Sequence, residues 1–101
     1  MAKAVVVRMT IVKKKAERPR RYKVILLNDP FAPTAVVLRL LRAVFRKTAH
    51  EALEVLAAAR RTGAAVVAVY TQEVAETKAQ TAADFAAKLR QPVSFRIEPA
   101  D

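Results

Sequence analysis

Two adjacent polar residues, Asn28 and Asp29, carry the clearest binding chemistry in this sequence of 101 residues. They directly follow an almost unbroken apolar run, Tyr22–Leu27, in which Lys23 is the only charge. Such a run predicts a strand that is buried on both faces or nearly so. Asn and Asp bend a chain by hydrogen-bonding their own backbone, and Pro30 lacks the N–H that a further sheet bond needs, so the strand ends here. A rigid turn with polar groups at the end of a core strand suits a binding site.

The sequence offers little from which to build a catalytic or metal site. It has no cysteine, one histidine (His50) and one glycine (Gly63). A metal-ligand cluster or a glycine-rich phosphate loop cannot be built from these, and a lone histidine near a helix start is usually a surface residue. Glu73, Glu76 and Asp84 are acidic residues of a predicted helix, of the kind that is usually solvated. We therefore predict a protein that is not an enzyme and that has no catalytic residue, metal or cofactor.

A second polar stretch, Tyr70–Lys78, lies where a predicted strand meets a predicted helix. Its simplest interpretation is a helix cap followed by a charged first turn, because Glu73 and Glu76 lie where the helix dipole favours anions. Taken alone, this stretch does not indicate a function.

Apolar periodicity predicts the helices that position these residues. A first helix runs from Pro33 to about Lys47. Thr48 begins a second helix, Glu51 three residues later completes a capping-box pattern, and Gly63 suits a left-handed cap at its end. The expected inward residues of the two helices are Val36, Val37, Leu40, Leu41, Val44 and Phe45, then Ala52, Leu53, Val55, Leu56 and Ala59.

Two further strands and a third helix complete the pattern. Residues 64–70 predict a strand that could run on to Glu73, a third helix begins around Val74 or Ala75, and Pro92 stops it. Val93–Glu98 alternates cleanly between inward and outward residues. The order strand, helix, helix, strand, helix, strand predicts an α+β fold, a small α/β sandwich in which helices cover one face of three strands.

The net charge of +10 is concentrated at the front of the chain. Residues 1–23 hold nine Lys or Arg and one Glu, whereas residues 24–101 hold ten basic and eight acidic side chains. We therefore divide the chain into a basic N-terminal extension, residues 1–20, and a folded domain, residues 21–101. Within the extension, residues 4–12 predict an added strand, or a segment ordered only against a partner, followed by a linker. The basic run is either solvated or a site for a polyanion such as nucleic acid, but no aromatic residue is interleaved in it to stack on bases.

Other features bear on the compartment. The lack of cysteine fits a reducing environment. No apolar run approaches the roughly 20 residues of a membrane span, and the first residues do not resemble a signal peptide. We expect a cytoplasmic protein without a membrane partner.

The two polar stretches together resemble the ClpS adaptors. Residues 22–29, Tyr-Lys-Val-Ile-Leu-Leu-Asn-Asp, with Pro33 four residues further on, form one block; residues 69–78, Val-Tyr-Thr-Gln-Glu-Val-Ala-Glu-Thr-Lys, form the other. The resemblance covers about residues 21–100 and implies a ClpS-like sandwich with a three-stranded antiparallel sheet. It also implies an adaptor for N-degrons, which are N-terminal degradation signals with a bulky apolar first residue. Such an adaptor delivers its cargo to ClpA, the AAA+ unfoldase of the ClpAP protease.

The resemblance further implies roles for single positions. Asn28 and Asp29 match the pair that holds the free α-amino group of the substrate, and Arg60 stands where a histidine completes that site. Glu73 and Lys78 match the surface that docks on the unfoldase, with Glu76 between them. The remaining pocket positions are Ala32, Thr34, Val37, Leu56, Ala59 and Val93.

The departures from the family pattern concentrate in the pocket. Pro30 stands in place of a second acid, Ala32 of a threonine, Thr34 of a gatekeeper methionine and Arg60 of the histidine. A neutral imidazole can accept a hydrogen bond from an ammonium, whereas a guanidinium has only donors and is always charged. At about 5 Å and an effective dielectric constant near 20, repulsion between Arg60 and an ammonium reaches at most ~3 kcal/mol, less if Asp29 neutralises Arg60.

Three interpretations therefore remain. The first is an adaptor that binds N-degrons and hands them to the unfoldase. The second is a ClpS-like protein that docks on the unfoldase but has altered or lost N-degron recognition, for example for an acidic or blocked terminus attracted to Arg60. The third is a small nucleic-acid-binding or ribosome-associated domain that uses the basic extension.

Overall fold

The computed structural model describes residues 7–11, as a backbone path, and residues 21–100 with their side chains. From residue 22 onwards the order is the predicted strand, helix, helix, strand, helix, strand, and the fold class is confirmed. The elements are β1 (Val7–Ile11), β2 (Tyr22–Leu27), α1 (Thr34–Ala43), α2 (Ala49–Thr62), β3 (Ala64–Tyr70), α3 (Gln72–Lys88) and β4 (Val93–Pro99).

The sheet has the strand order β1-β4-β2-β3. The central strand β2 is antiparallel to both neighbours, with Leu26 opposite Phe95 on β4 and Ala65 on β3. The strand β1 lies parallel to β4 and adds a fourth strand, with Val7 opposite Val93. It falls within the segment 4–12 for which an added strand was one prediction, and it joins this chain's own sheet. The linker and basic run predicted after it, residues 13–21, lie outside the described residues apart from Arg21.

All three helices pack on one face of the sheet. The core on this face combines Val24, Leu26, Phe95 and Ile97 of the strands with the buried sides of the helices. The helix α3 buries only small side chains, Ala75, Ala79, Ala82 and Ala86, which lets its backbone approach the sheet closely. The opposite face carries Lys23, Val66 and the Arg96–Glu98 ion pair. The predicted alternation of inward and outward residues along β4 is confirmed, because Val93, Phe95 and Ile97 are buried.

Both predicted caps of α2 are present. The Thr48 side chain accepts from the Glu51 backbone N–H at 3.1 Å, and the Glu51 carboxylate accepts from the Thr48 N–H at 2.9 Å. These bonds satisfy two donors that a helix start leaves unpaired. At the other end Gly63 adopts φ 99°, the left-handed conformation that costs a glycine little.

Three predicted boundaries or positions were wrong. The helix α1 ends at Ala43 rather than near Lys47, because Arg46 turns to φ 56° and the Lys47 N–H donates back to the Leu41 carbonyl. The helix α3 begins at Gln72, before the expected start near Val74, because the Thr71 side chain caps it.

The third wrong prediction concerns a side chain of α2. Leu53 was expected to be buried but is 52% exposed. The spacing of Ala52, Leu56 and Ala59, all buried, already fills the inward stripe of the helix, and Leu53 lies on its flank.

Candidate functional site

The rim of the candidate site is assembled where β2 ends beside the end of α2. The Asn28 backbone N–H donates to the Gly63 carbonyl at 2.9 Å, so the strand end and the helix end are tied together. The next residues form a tight turn in which the Ala32 N–H donates to the Asp29 carbonyl at 3.0 Å. One carboxylate oxygen of Asp29, Oδ1, accepts from the Phe31 N–H at 2.9 Å. This bond orients the side chain and leaves its other oxygen without a hydrogen-bond donor among the described residues.

An apolar pocket opens at this rim. Its floor and walls come from β2, α1, α2 and β4, and its polar groups are Asn28, Asp29 and Arg60. The space inside is about 10 Å³, which is room for about one water molecule. The apolar lining residues are Leu26, Leu27, Ala32, Val37, Leu56, Ala59 and Val93.

The Arg60 side chain reaches from the last turn of α2 to the first turn of α1. Its Nη2 donates to the Thr34 hydroxyl oxygen at 3.1 Å, and both side chains are exposed. Among the described residues, no carboxylate lies within 4.0 Å of the guanidinium. The expected alternative, in which Asp29 neutralises Arg60, is therefore not the arrangement in this structure. We call the Arg60–Thr34 hydrogen bond the clasp; it joins two positions at which the sequence resemblance implied a departure from the family pattern.

The structure brings together eight of the nine residues expected to bind substrate. The ninth, Thr34, does not line the pocket but contacts it through the clasp. Sequence reasoning missed Leu26 and Leu27, which also line the pocket. Their position as the last two residues of the strand that delivers Asn28 is the signal that would have found them.

The three residues expected to face a partner protein lie on the first two turns of α3, and none of them lines this pocket. Glu73 is exposed, next to Val74, which is 42% exposed. Glu76 is half-buried and accepts from the Gln72 side chain at 3.1 Å.

Lys78 is also half-buried, and its ammonium has contacts within the fold. The Lys78 Nζ donates to the Val44 carbonyl, the C-cap of α1, at 3.0 Å, and it lies 6.0 Å from the centre of the Tyr70 ring. Burial raises the pKa of the Tyr70 phenol, which therefore stays neutral at physiological pH. Of the three expected partner residues, only Glu73 presents an exposed charge without a hydrogen bond to another described side chain.

The single histidine and the acidic residues do not form a metal site in the described part of the chain. His50 is exposed and its Nε2 lies 3.1 Å from Glu54 Oε2 in the next helical turn. Residues 7–11 and 21–100 contain no group of three or more His, Cys, Asp or Glu that could hold a metal ion. None of the three described helices has the length and apolar character needed to cross a bilayer.

Comparison with known proteins gives a consistent result. The family model described as ATP-dependent Clp protease adaptor protein ClpS matches residues 17–96. The chain is 45% identical over 92 residues to ATP-dependent Clp protease adapter protein ClpS 1 of Bradyrhizobium diazoefficiens, with 91% of each protein covered. It is 42% identical to adapter protein ClpS 2 of Mesorhizobium japonicum, again over 91% of each. A similar solved structure is that of Agrobacterium tumefaciens ClpS2 bound to L-phenylalaninamide, with a TM-score of 0.76 and 43% identity, covering 81% of this chain and 99% of that one.

Proposed function

This chain belongs to the ClpS family of ATP-dependent Clp protease adaptor proteins, and from that premise we propose that its pocket holds the first residue of a protein marked for degradation. The family consists of adaptors and not of proteases. The function of this chain is accordingly to bind N-degrons and present their carriers to a Clp protease. One observation supports the proposed site. The apolar pocket has at its rim the Asn28 amide and one Asp29 carboxylate oxygen that accepts no hydrogen bond from a described group.

The rim residues are suited to a free α-amino group. An ammonium has only donors, and the side chains of Asn28 and Asp29 present acceptor oxygens at the same edge of the pocket. Asp29 is held in place by its bond to the Phe31 N–H, so little side-chain freedom is lost on binding. A hydrogen bond to a charged group contributes about 1.5–3 kcal/mol. Acetylation of the N-terminus removes the charge and two of the donors, so it should abolish most of this contribution.

The apolar walls are suited to the first side chain. Val37, Leu56, Ala59 and Val93 are all buried and surround a space open at one end. Complete burial of a Leu or Phe side chain contributes about 1.5–3 kcal/mol, comparable to the rim contribution. The space of about 10 Å³ has to widen to admit such a side chain. Arg60, which lines the pocket, is held to Thr34 by the clasp, an exposed hydrogen bond that can break at small cost.

The proposed docking surface for the protease partner is the start of α3, and the proposed partner is a ClpA-type AAA+ unfoldase. Glu73 and Val74 offer an exposed charge beside an exposed apolar side chain, a combination that interfaces use. This surface is separate from the pocket, so cargo and unfoldase can be held at once.

Since such an unfoldase consumes ATP, we place the adaptor in the cytoplasm.

Fluorescence anisotropy with labelled peptides tests this function. Peptides that begin with Leu or Phe, each with a free or an acetylated N-terminus, are titrated with the protein. We expect saturable binding of the free forms only, and competition by L-phenylalaninamide. Equal binding of free and acetylated forms would contradict the assignment of Asn28 and Asp29 to the amino group.

One observation favours a second candidate, in which unfoldase docking is kept but N-terminal recognition is altered. The Arg60 guanidinium lines the pocket without a carboxylate partner among the described residues, so it opposes the incoming ammonium. Replacement by the family histidine, Arg60→His, tests this directly. A gain in affinity for free N-terminal Leu or Phe would show that the charge weakens recognition, whereas unchanged affinity would direct attention to Pro30 and Thr34.

A further inference from the structure

We propose that Arg60 is a specificity-determining residue that binds an acidic side chain at the second position of the peptide. This inference rests on the proposed function of the pocket, and it names the cargo class that the pocket prefers. The preferred N-terminus has a bulky apolar first residue followed by Glu or Asp.

The charge distribution at the pocket mouth points to this cargo. Three polar residues line the pocket, and they divide into two kinds. Asn28 and Asp29 present acceptors, which suit the ammonium, whereas Arg60 presents only donors. A second basic residue, Arg61, is exposed in the same last turn of α2 but does not line the pocket. The mouth therefore has an acidic side and a basic side.

The clasp keeps the guanidinium at the mouth. The bond from Nη2 to the Thr34 hydroxyl fixes one end of a long side chain that would otherwise sample many rotamers. A neutral hydroxyl leaves the positive charge intact, and the remaining guanidinium N–H groups stay available for a carboxylate. A carboxylate that accepts from these groups makes a charge-assisted bond, which a hydroxyl cannot match. An acidic ligand can therefore replace Thr34 as the partner of Arg60.

The second residue of a bound peptide is the one within reach. With the first side chain in the pocket and the ammonium at Asn28 and Asp29, the chain must leave over the same mouth. Consecutive Cα atoms are about 3.8 Å apart, so the second side chain starts within one residue length of the mouth. Arg60 lines this mouth and is exposed, so a Glu side chain there meets a guanidinium rather than bulk water.

Peptides that differ only at the second position test the inference. Labelled Phe-Glu, Phe-Gln and Phe-Lys peptides with free N-termini are titrated with the unchanged protein, with Arg60→Gln and with Arg61→Gln. We expect Phe-Glu to bind about threefold more tightly than Phe-Gln, as for an exposed ion pair, and Phe-Lys to bind more weakly than both. The order should collapse in Arg60→Gln and persist in Arg61→Gln. Arg60→Lys should retain part of it, and added salt should shrink it.

The outcomes separate this inference from the proposed function. Rejection of acetylated peptides together with equal binding of Phe-Glu and Phe-Gln would overturn the inference and leave the function intact. Loss of the preference in Arg61→Gln to the same extent as in Arg60→Gln would also overturn it, because the cause would then be the general field of the helix end. If no free N-terminal peptide bound and L-phenylalaninamide did not compete, the proposed function would fail and this inference with it.

Discussion

The pocket mouth and the start of α3 use their charged residues in opposite ways. At the mouth, Asp29 keeps one oxygen free of described donors and Arg60 meets only a neutral hydroxyl. At the start of α3, Lys78 is bonded to the end of α1 and Glu76 to Gln72. The mouth leaves one Asp29 oxygen and several Arg60 N–H groups open to a ligand. At the start of α3, by contrast, Glu76 and Lys78 are half-buried and bonded within the fold.

This difference shows that a match to a family motif does not by itself mean that a charged side chain is free to bind a partner. The sequence resemblance implies an intact family motif in residues 69–78, but Lys78 has a contact within the fold that explains its presence without any partner. The sequence resemblance implies that the departures lie in the pocket, but Asp29 still has an oxygen and Arg60 still has N–H groups that no described group binds. A motif kept in sequence is therefore only weak support for docking on the unfoldase. A pocket with altered residues, in turn, still has charged groups that can bind a ligand.

The largest expected effect is at Asp29. Asp29→Asn removes the negative charge but keeps the shape and the acceptor for the Phe31 N–H. Affinity for a free N-terminal Phe peptide should fall about ten- to a hundredfold, as expected for a hydrogen bond to a charged group. Anisotropy titration measures this. Glu73→Gln is the matched control, an acid of the other region whose loss should leave peptide affinity unchanged; a similar fall there would erase the contrast between the regions.

The next largest effect is expected at Glu73. Glu73→Lys reverses an exposed charge on the proposed docking surface and should weaken binding to the unfoldase about tenfold, without change in peptide affinity. The affinity is measured by titrating the adaptor over unfoldase that is immobilised on a sensor surface. Asp84→Lys makes the same charge change further along α3 and should have little effect. If both variants bound alike, docking would lie elsewhere.

Lys78 tests whether a residue can serve both the fold and the partner. Lys78→Met removes the bond to the Val44 carbonyl and should lower the free energy of unfolding by about 1 kcal/mol. Urea denaturation measures this, with the exposed Lys88→Met on the same helix as control. At temperatures where the variant remains folded, a loss of unfoldase affinity would show that Lys78 also contacts the unfoldase. Unchanged stability would contradict the structural role assigned here.

A smaller effect is expected from release of the clasp. Thr34→Val keeps the shape of the side chain but cannot accept from Arg60. Because the pocket must widen to admit a bulky residue, release of the lining residue Arg60 from this one exposed bond should raise affinity for all free N-terminal Phe peptides about twofold. The Phe-Glu over Phe-Gln preference should survive, since the charge of Arg60 remains. A fall in affinity would mean that the clasp supports the bound state.

The smallest effect concerns Glu51, which serves as a reference away from both regions. Its bond from the Thr48 backbone N–H is the largest cause that holds its pKa below the ordinary value of 4.5. Its contribution to stability is therefore present above that value and is lost as the pH falls through the lower pKa of the folded state. Glu51→Gln keeps an acceptor for the bond but should flatten this acid-side loss, measured as the unfolding midpoint in urea between neutral and acid pH. Peptide and unfoldase affinities at neutral pH should not change.

Much of the fold and site could be predicted because its signals are local. The capping box of Thr48 and Glu51 and the left-handed Gly63 depend on residues a few positions apart, and all are present. The start of α3 was predicted too late, around Val74 or Ala75, although the Thr71 side chain caps the helix at Gln72. Leu53 was misplaced because an aliphatic residue on the flank of a helix fits an inward stripe almost as well as its neighbours.

By itself, the sequence determined the order of the elements, the turn at Asn28 and Asp29, and the grouping of polar residues into two stretches, because backbone propensity and capping act over a few residues. Only the tertiary structure decided which charges remain free. The Arg60–Thr34 and Lys78–Val44 bonds join residues 26 and 34 positions apart. Such contacts depend on how α1, α2 and α3 are set against the sheet, and that setting results from the packing of the whole core rather than from any local pattern.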